Sequence, residues 1–217
     1  MLCMVDENYN PVIDPANFVT DTTDFNPYFP LKAGTVYKYE GLTESGAPKS
    51  TVYTITTDTK IIMGITCTVI EDANWENGKQ VDDNFGWYAQ DKEKNIWYFG
   101  EDVQDIKRRK VVSTDGSWVA GNDGAKPGIY IPGNPSPGNI YRQELYGCIA
   151  QDFSQDISVL EKVTVPYGTF DSCLKVIEWT PLDPNGHREY KYYAPGIGKI
   201  KTEVIGTIGY GALVDIQ

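Results

Sequence analysis

The chain has 217 residues, of which 41% are hydrophobic and 23% charged, a composition typical of a folded globular protein rather than a disordered one. Thirty acidic and nineteen basic side chains give a net charge of −11, which argues against nucleic acid or an anionic membrane surface as a partner, because both attract clustered Lys and Arg. The single histidine excludes most histidine-based catalysis and histidine-rich metal sites. No apolar run reaches the roughly 18 residues of a transmembrane helix.

Residues 1–30 are acidic and rich in Pro and Asn, and they predict an extended lead-in to a single β domain at 31–217. From there, alternating polar and apolar residues between Gly, Pro and Asn turn signals predict antiparallel strands. These strands are predicted at 36–40, 51–56, 66–75, 81–89, 96–99, 111–112, 141–146, 158–165, 174–180, 189–194 and 199–208. No segment has the periodicity of a helix. The turn between the strands at 111–112 and 96–99 carries the only basic cluster, Lys107-Arg108-Arg109-Lys110.

Residues 113–139 are rich in Gly and Pro and have almost no periodicity, so they predict a long loop. A loop of this length in a compact domain is a functional lid or binding loop, or else it packs on the sheet without a role in binding.

Two segments, about 64–100 and 168–203, share a layout of strand, tight hairpin turn, aromatic strand and third strand. The first contains Asn77-Gly78, the strongest two-residue hairpin signal. Such an internal repeat favours one curved sheet over two unrelated domains. The sequence therefore predicts an all-β fold, a single curved antiparallel sheet (half-barrel or open β-barrel) with the Gly/Pro-rich loop across its mouth.

The four cysteines have no CxxC spacing, which argues against zinc or thioredoxin-like chemistry. Cys67 and Cys173 are predicted to be small buried apolar residues, and a disulfide is the alternative. Cys3, by its position alone, is a candidate lipid anchor.

Four segments resemble an uncharacterised family of exported bacterial and archaeal proteins. They are Asn26-Pro27-Tyr28-Phe29-Pro30-Leu31, residues 87–101 (beginning Trp87-Tyr88-Ala89-Gln90-Asp91), residues 116–129 (beginning Gly116-Ser117-Trp118), and residues 165–198 (from Val165-Pro166-Tyr167-Gly168-Thr169-Phe170 to Tyr192-Tyr193-Ala194-Pro195-Gly196-Ile197-Gly198). The resemblance implies an extracellular or cell-envelope location, in some relatives with a lipid anchor. It implies no activity and no functional residues.

Asp91, Glu93 and Asn95 alternate oxygen donors as calcium loops do. They lack the Gly and the distal Glu of an EF-hand, and they stand where a hairpin must turn. Asp and Asn are favoured in turns for backbone reasons alone. A Ca²⁺ site and an ordinary turn are both open interpretations, and no other cofactor is indicated.

Carboxylates form a second candidate cluster if their strands lie side by side. The members are Asp82, Asp83, Glu101, Asp102, Asp152 and Asp156. Paired carboxylates do acid–base work when burial or mutual repulsion separates their pKa values, and otherwise they form a solvated rim. His187 follows a hairpin turn and has no nucleophile motif near it, so it is predicted to be a surface residue.

Four aromatic residues are the candidate ligand-binding set: Trp87, Trp97, Tyr98 and Trp118. Curved sheets also use aromatic residues to fill the core, but Trp118 starts the Gly/Pro-rich segment, where a core role is less automatic. Aromatic rings beside carboxylates and amides are how sugars are bound. The sequence thus predicts a non-catalytic exported or envelope binding protein for a small molecule or glycan. The alternatives are a metal-assisted or carboxylate-based hydrolase-like enzyme and a structural or adhesive surface module.

Overall fold

The computed structural model describes residues 8–20, 23–183 and 186–217. Across these ranges it contains sixteen β-strands, one 3-10 turn at Pro15–Asn17 and no α-helix. The strands are β1 (Val36–Leu42), β2 (Pro48–Ile62), β3 (Ile65–Glu76), β4 (Lys79–Gln90), β5 (Ile96–Asp102), β6 (Asp105–Lys107), β7 (Lys110–Ser113), β8 (Trp118–Val119), β9 (Lys126–Ile131), β10 (Ile140–Arg142), β11 (Glu144–Leu145), β12 (Phe153–Val165), β13 (Gly168–Trp179), β14 (Arg188–Ala194), β15 (Gly198–Val204) and β16 (Tyr210–Ile216).

The strands form one antiparallel sheet in the order β10-β12-β13-β14-β15-β16-β1-β2-β3-β4-β5-β9-β11. Three short strands lie off this order: β6 pairs with β4 and with β7, and β8 pairs with β5. The two ends of this order, β10 and β11, are consecutive in the chain and are separated only by Gln143. The sheet is therefore nearly closed into a barrel with one seam, and the predicted curved antiparallel sheet is confirmed.

The seam is held by a segment that changes partners. Residues 140–142 pair with β12, the Gln143 amide donates to the Asp152 carbonyl at 2.8 Å, and residues 144–145 pair with β9. Gly128 of β9 makes the closure feasible, because a Cβ there would lie 2.3 Å from the carbonyl oxygen of Arg142. Only a residue without a side chain lets the two backbones approach so closely.

Tyrosine rings fill much of the core. Alternation along β1 buries Tyr37 and Tyr39, as expected for a strand with one buried face. Tyr88 and Tyr98 stack with ring centroids 4.7 Å apart, and Phe29 from the lead-in packs against Tyr88 at 5.6 Å. Aromatic pairs of this kind stabilise the core beyond the area they bury.

The lead-in is fixed to the barrel through Asn26, which is fully buried. Its backbone amide donates to Gln90 Oε1 at 2.7 Å, and its Nδ2 donates to the carbonyl oxygens of Lys94 and Pro132 at 2.8 and 3.0 Å. Its Oδ1 accepts from the amides of residues 28 and 29. In the structure, this residue of the Asn26–Leu31 motif has a structural role.

The Gly/Pro-rich segment is shorter as a loop than predicted. Residues 118–119 and 126–131 are strands β8 and β9, and β9 is part of the barrel between β5 and β11. The sequence does not predict this strand, because it contains Pro127 and Gly128 and both residue types are depleted in strands. The last predicted strand, 199–208, is too long, because β15 ends at Val204. A separate strand, β16, follows it and was not predicted.

The two segments of the predicted repeat each contain a three-stranded antiparallel meander, β3–β5 and β13–β15. A symmetry relation between them stays a prediction.

The cysteines differ in state. Cys67 and Cys173 are fully buried free thiols, as predicted, whereas Cys148 is disulfide-bonded. Cys3, the candidate anchor, lies outside the described residues. None of the described segments forms a helix long and apolar enough to cross a membrane.

Candidate functional site

A cavity of about 390 Å³ lies next to the seam. Its lining brings aromatic, carboxyl, amide and ammonium groups together from five parts of the chain. These are Lys60 of β2, Trp87 of β4, Glu101 and Asp102 of β5, residues 117–119 and 122–123 around β8, and Tyr146 after β11. Two of the predicted ligand-binding residues, Trp87 and Trp118, therefore share one cavity.

The backbone of β5 sets the position of Trp118. Strand β8 pairs with β5 so that Trp118 stands opposite Glu101. Gly100 lies at φ +126°, and a Cβ on it would be 2.2 Å from the Trp118 carbonyl oxygen. The glycine thus allows the short strand to lie directly against β5.

Trp118 is a wall of the cavity and also a core residue. Its side chain is almost completely buried, with its ring at a T-shaped angle to Tyr98, centroids 5.4 Å apart. The indole N–H makes no hydrogen bond of good geometry within the described chain, although it lies near enough to Glu144 to lower the pKa of that carboxyl. Trp118 therefore offers a ligand only a small part of its surface.

Trp87 holds a cation on its ring. The Lys60 ammonium lies 3.2 Å from the ring centroid, a close cation–π contact. Partial burial lowers the pKa of Lys60, and Asp102 opposes that effect. A ligand that stacks on Trp87 must displace this ammonium or lie beside it.

The other two predicted ligand-binding aromatics lie outside the cavity. Tyr98 sits behind Trp118 in the core. Trp97 packs against Phe18 at 6.1 Å, and its Nε1 donates to Asp91 Oδ2 at 2.8 Å. Neither residue lines the cavity.

The predicted calcium residues form a hydrogen-bonded turn. Asp91 Oδ1 accepts from the Asn95 amide and Oδ2 from Asn95 Nδ2, both at 2.8 Å, while Glu93 is exposed. Within the described ranges, no group of three or more His, Cys, Asp or Glu residues is arranged to hold a metal ion. These contacts support the turn interpretation and give the calcium interpretation no further support.

Part of the predicted carboxylate cluster does come together. Burial raises the pKa of Glu101 to about 7, with Asp152 adding to the rise and the Tyr98 hydroxyl opposing it. Burial and then Glu178 raise the pKa of Asp152 to about 6, against the pull of Lys191. Burial, Asp152 and Glu101 raise the pKa of Glu144 at the seam well above its usual range. Glu101 connects this group with the cavity, because it also lines the cavity wall.

A buried ion pair lies beside these carboxyls. Lys191 Nζ donates to Glu178, and Gln143 Nε2 donates to the other Glu178 oxygen at 3.1 Å. Burial alone would lower the pKa of Lys191, but the Glu178 carboxylate raises it, followed by Tyr130 and Glu189. Glu144, Glu178 and Lys191 were not predicted from the sequence, because only the folded sheet brings Glu144 near Glu101 and brings Glu178 and Lys191 near Asp152.

The remaining candidates lie elsewhere. Asp156 is fully buried and accepts from the Ser136 amide and the Tyr141 hydroxyl, which is a structural role. Asp82 accepts hydrogen bonds from Asn74 on the neighbouring strand β3 and from Asn84 on its own strand β4. His187 stands 3.5 Å from both Glu44 and Glu189.

No family model and no curated protein matches the sequence. Among solved structures, the chain is similar to a protein of Bacteroides fragilis NCTC 9343 that is inferred to be exported and described as having a YmcC-like fold, with a TM-score of 0.50 and 15% identity over 88% of this chain and 98% of that one. The chain shares this fold. A second similar structure, inferred to be a lipoprotein of Parabacteroides distasonis ATCC 8503, has a TM-score of 0.42 and 16% identity over 90% of this chain and 100% of that one.

Proposed function

We propose that the protein is an exported, non-catalytic binding protein of the cell envelope that takes a glycan unit or a similar hydroxyl-rich small molecule in the Trp118 cavity. The observation that carries the proposal is the composition of the cavity wall, in which two tryptophans and a tyrosine stand beside carboxyl, amide and ammonium groups. Aromatic rings bind the apolar faces of sugars, while carboxylates and amides bind their hydroxyls.

The cavity also fits a single small ligand by size. Its volume of about 390 Å³ falls in the lower part of the range of about 300–1,000 Å³ that small-molecule sites occupy. Its polar groups come from different strands, so a bound ring would be fixed in one orientation.

Three observations support the exported location. The sequence motifs resemble exported proteins, the YmcC-like structure is of a protein inferred to be exported, and Cys148 is disulfide-bonded. Structural disulfides persist in oxidising compartments outside the cytosol.

Calorimetric titration with a panel of monosaccharides and short oligosaccharides tests the binding function. We expect at least one sugar to bind, and we expect Asp102→Asn and Asn122→Ala to weaken its affinity about tenfold each, because the first replaces a carboxylate oxygen acceptor with an amide N–H donor and the second removes an amide from the wall. Glu76→Gln, at the exposed end of β3, is the matched charge control and should bind like the parent. If no sugar binds, or if the control weakens binding as much as Asp102→Asn, the proposal fails.

A carboxylate-based hydrolase is the second candidate, and one observation favours it. Glu101 lines the cavity with a pKa raised to about 7, while nearby Asp152 has a pKa raised to about 6. Near neutral pH such a pair supplies one protonated and one ionised carboxyl group, as acid–base hydrolysis needs. Chromogenic glycosides decide between the two functions: turnover by the parent that Glu101→Gln abolishes without loss of binding would establish the enzyme, and no turnover would leave the binding protein.

A further inference from the structure

The β6–β7 hairpin carries four positive charges that the fold does not use. Its tip is Lys107-Arg108-Arg109-Lys110, and all four residues are exposed. In the described part of the chain, no carboxylate lies within ion-pair distance of any of them and no aromatic ring lies beneath them. Elsewhere on the surface, by contrast, Lys38 pairs with Asp215 and Lys162 with Asp171.

The backbone of this tip is unfavourable for the residues it contains. Lys107 pairs with Lys110, so Arg108 and Arg109 form a two-residue turn, at φ +54° and +63°. Such turns favour Asn-Gly, since both central residues need positive φ. The same chain uses Asn77-Gly78 for the turn between β3 and β4, at φ +49° and +71°. Arginine at both of these positions is strained where Asn-Gly would not be, and strain of this kind indicates a function for the side chains that the turn presents.

The hairpin also separates these charges from the acidic body. It joins the sheet through the pairing of Asp105 with Asp82, and Arg108 lies three residues further along. At about 3.3 Å per residue in a strand, the tip reaches roughly 10 Å beyond that junction, more than the Debye length of about 8 Å at physiological salt. The negative charge of the body is therefore largely screened at the tip.

We propose that the β6–β7 hairpin docks the protein on a membrane surface that carries anionic lipid headgroups. Four adjacent cations fit the phosphates of such a surface. Val111 and Val112, which follow them, are 50% and 60% exposed, and because successive strand residues point to opposite faces, one of the two can contact the surface beside the cations. The net charge of −11 argues against this partner only for the chain as a whole. The inference does not depend on the Trp118 cavity.

Sedimentation with lipid vesicles tests the proposal. The probe is vesicles of phosphatidylcholine with 30% phosphatidylglycerol, compared with pure phosphatidylcholine. The informative variant is Arg108→Asn with Arg109→Gly, which removes two charges and installs the favoured turn sequence, so the variant should fold at least as well as the parent. The control is Lys79→Gln with Lys92→Gln, which removes two exposed charges elsewhere.

We expect the parent to bind the anionic vesicles, with binding that falls as salt rises from 50 to 500 mM. The turn variant should bind about 30-fold more weakly, from the contribution of each cation near an anionic surface, while the lysine control should bind like the parent. Equal binding by the turn variant and the parent would overturn the proposal. So would equal binding to both vesicle types, or binding of an acidic polysaccharide such as heparin without binding of vesicles.

Discussion

Replacing Glu101 with Gln should stabilise the protein at neutral pH, which is unusual for a substitution at a largely buried position. Because burial raises the pKa of Glu101 from 4.5 to about 7, the folded state binds a proton more tightly than the unfolded state does. The contribution of this group to stability is therefore fully present below about pH 4.5 and is lost as the pH rises through 7. One pKa unit corresponds to about 1.4 kcal/mol, so ionisation costs the folded state up to about 3 kcal/mol, and less where water reaches the carboxyl.

Glu101→Gln keeps the shape of the side chain and removes the ionisation. We expect the free energy of unfolding to rise by about 2–3 kcal/mol at pH 7.5 and to change little at pH 4. For a domain of this size, that gain corresponds to a melting temperature about 4–12 °C higher. The effect should be reinforced, because Glu101 also raises the pKa of Glu144 at the seam.

Urea unfolding followed by fluorescence at several pH values between 4 and 8 measures this directly. Glu76→Gln, exposed at the end of β3, is the control and should leave the pH profile unchanged. If Glu101→Gln lowers the free energy of unfolding at pH 7.5 as much as at pH 4, then burial and the neighbouring carboxylates do not raise the pKa of Glu101 as described.

Three further substitutions or treatments test other parts of the structure. Gly128→Ala should lower the free energy of unfolding by about 2–4 kcal/mol, because the new Cβ would lie 2.3 Å from the Arg142 carbonyl oxygen; an unchanged urea midpoint would contradict the seam as described. Lys191→Met should lower the free energy of unfolding by about 3–5 kcal/mol, because it leaves the buried Glu178 carboxylate without its cation. Adding Glu178→Gln should recover part of this loss in the same assay. If Lys191→Met alone is as stable as the parent, the ion pair does not stabilise the fold as described. Alkylation of the unfolded, unreduced protein should leave Cys148 unlabelled, and mass spectrometry that finds it labelled would contradict the disulfide.

The sequence predicted the parts of the fold that local patterns encode. Strands β3 and β4 were found almost to their ends, because their alternation surrounds the unambiguous Asn77-Gly78 turn. Strand β9 was missed because Pro127 and Gly128 are signals of a loop. In the structure they serve the seam, where the Gly128 backbone must approach residue 142. This contact joins parts of the chain that no local window contains.

The candidate site could be predicted only in part, for the same reason. Trp118 was singled out by its place at the start of the Gly/Pro-rich segment, and Trp87 by composition. Glu144 gave no local signal, because its raised pKa arises from burial and from Asp152 and Glu101 on other strands. Trp97, predicted as a ligand-binding residue, could not be placed from the sequence, because its strand was predicted but not its hydrogen bond to Asp91, and it does not line this cavity.

Fluorine NMR of protein labelled with 5-fluorotryptophan tests the proposed binding site most directly. Titration with a sugar that binds should shift the resonances of Trp87 and Trp118, which line the cavity, and leave unchanged that of Trp97, which does not line it. Shifts confined to Trp97, or no shift of Trp118 at saturation, would show that the ligand binds elsewhere.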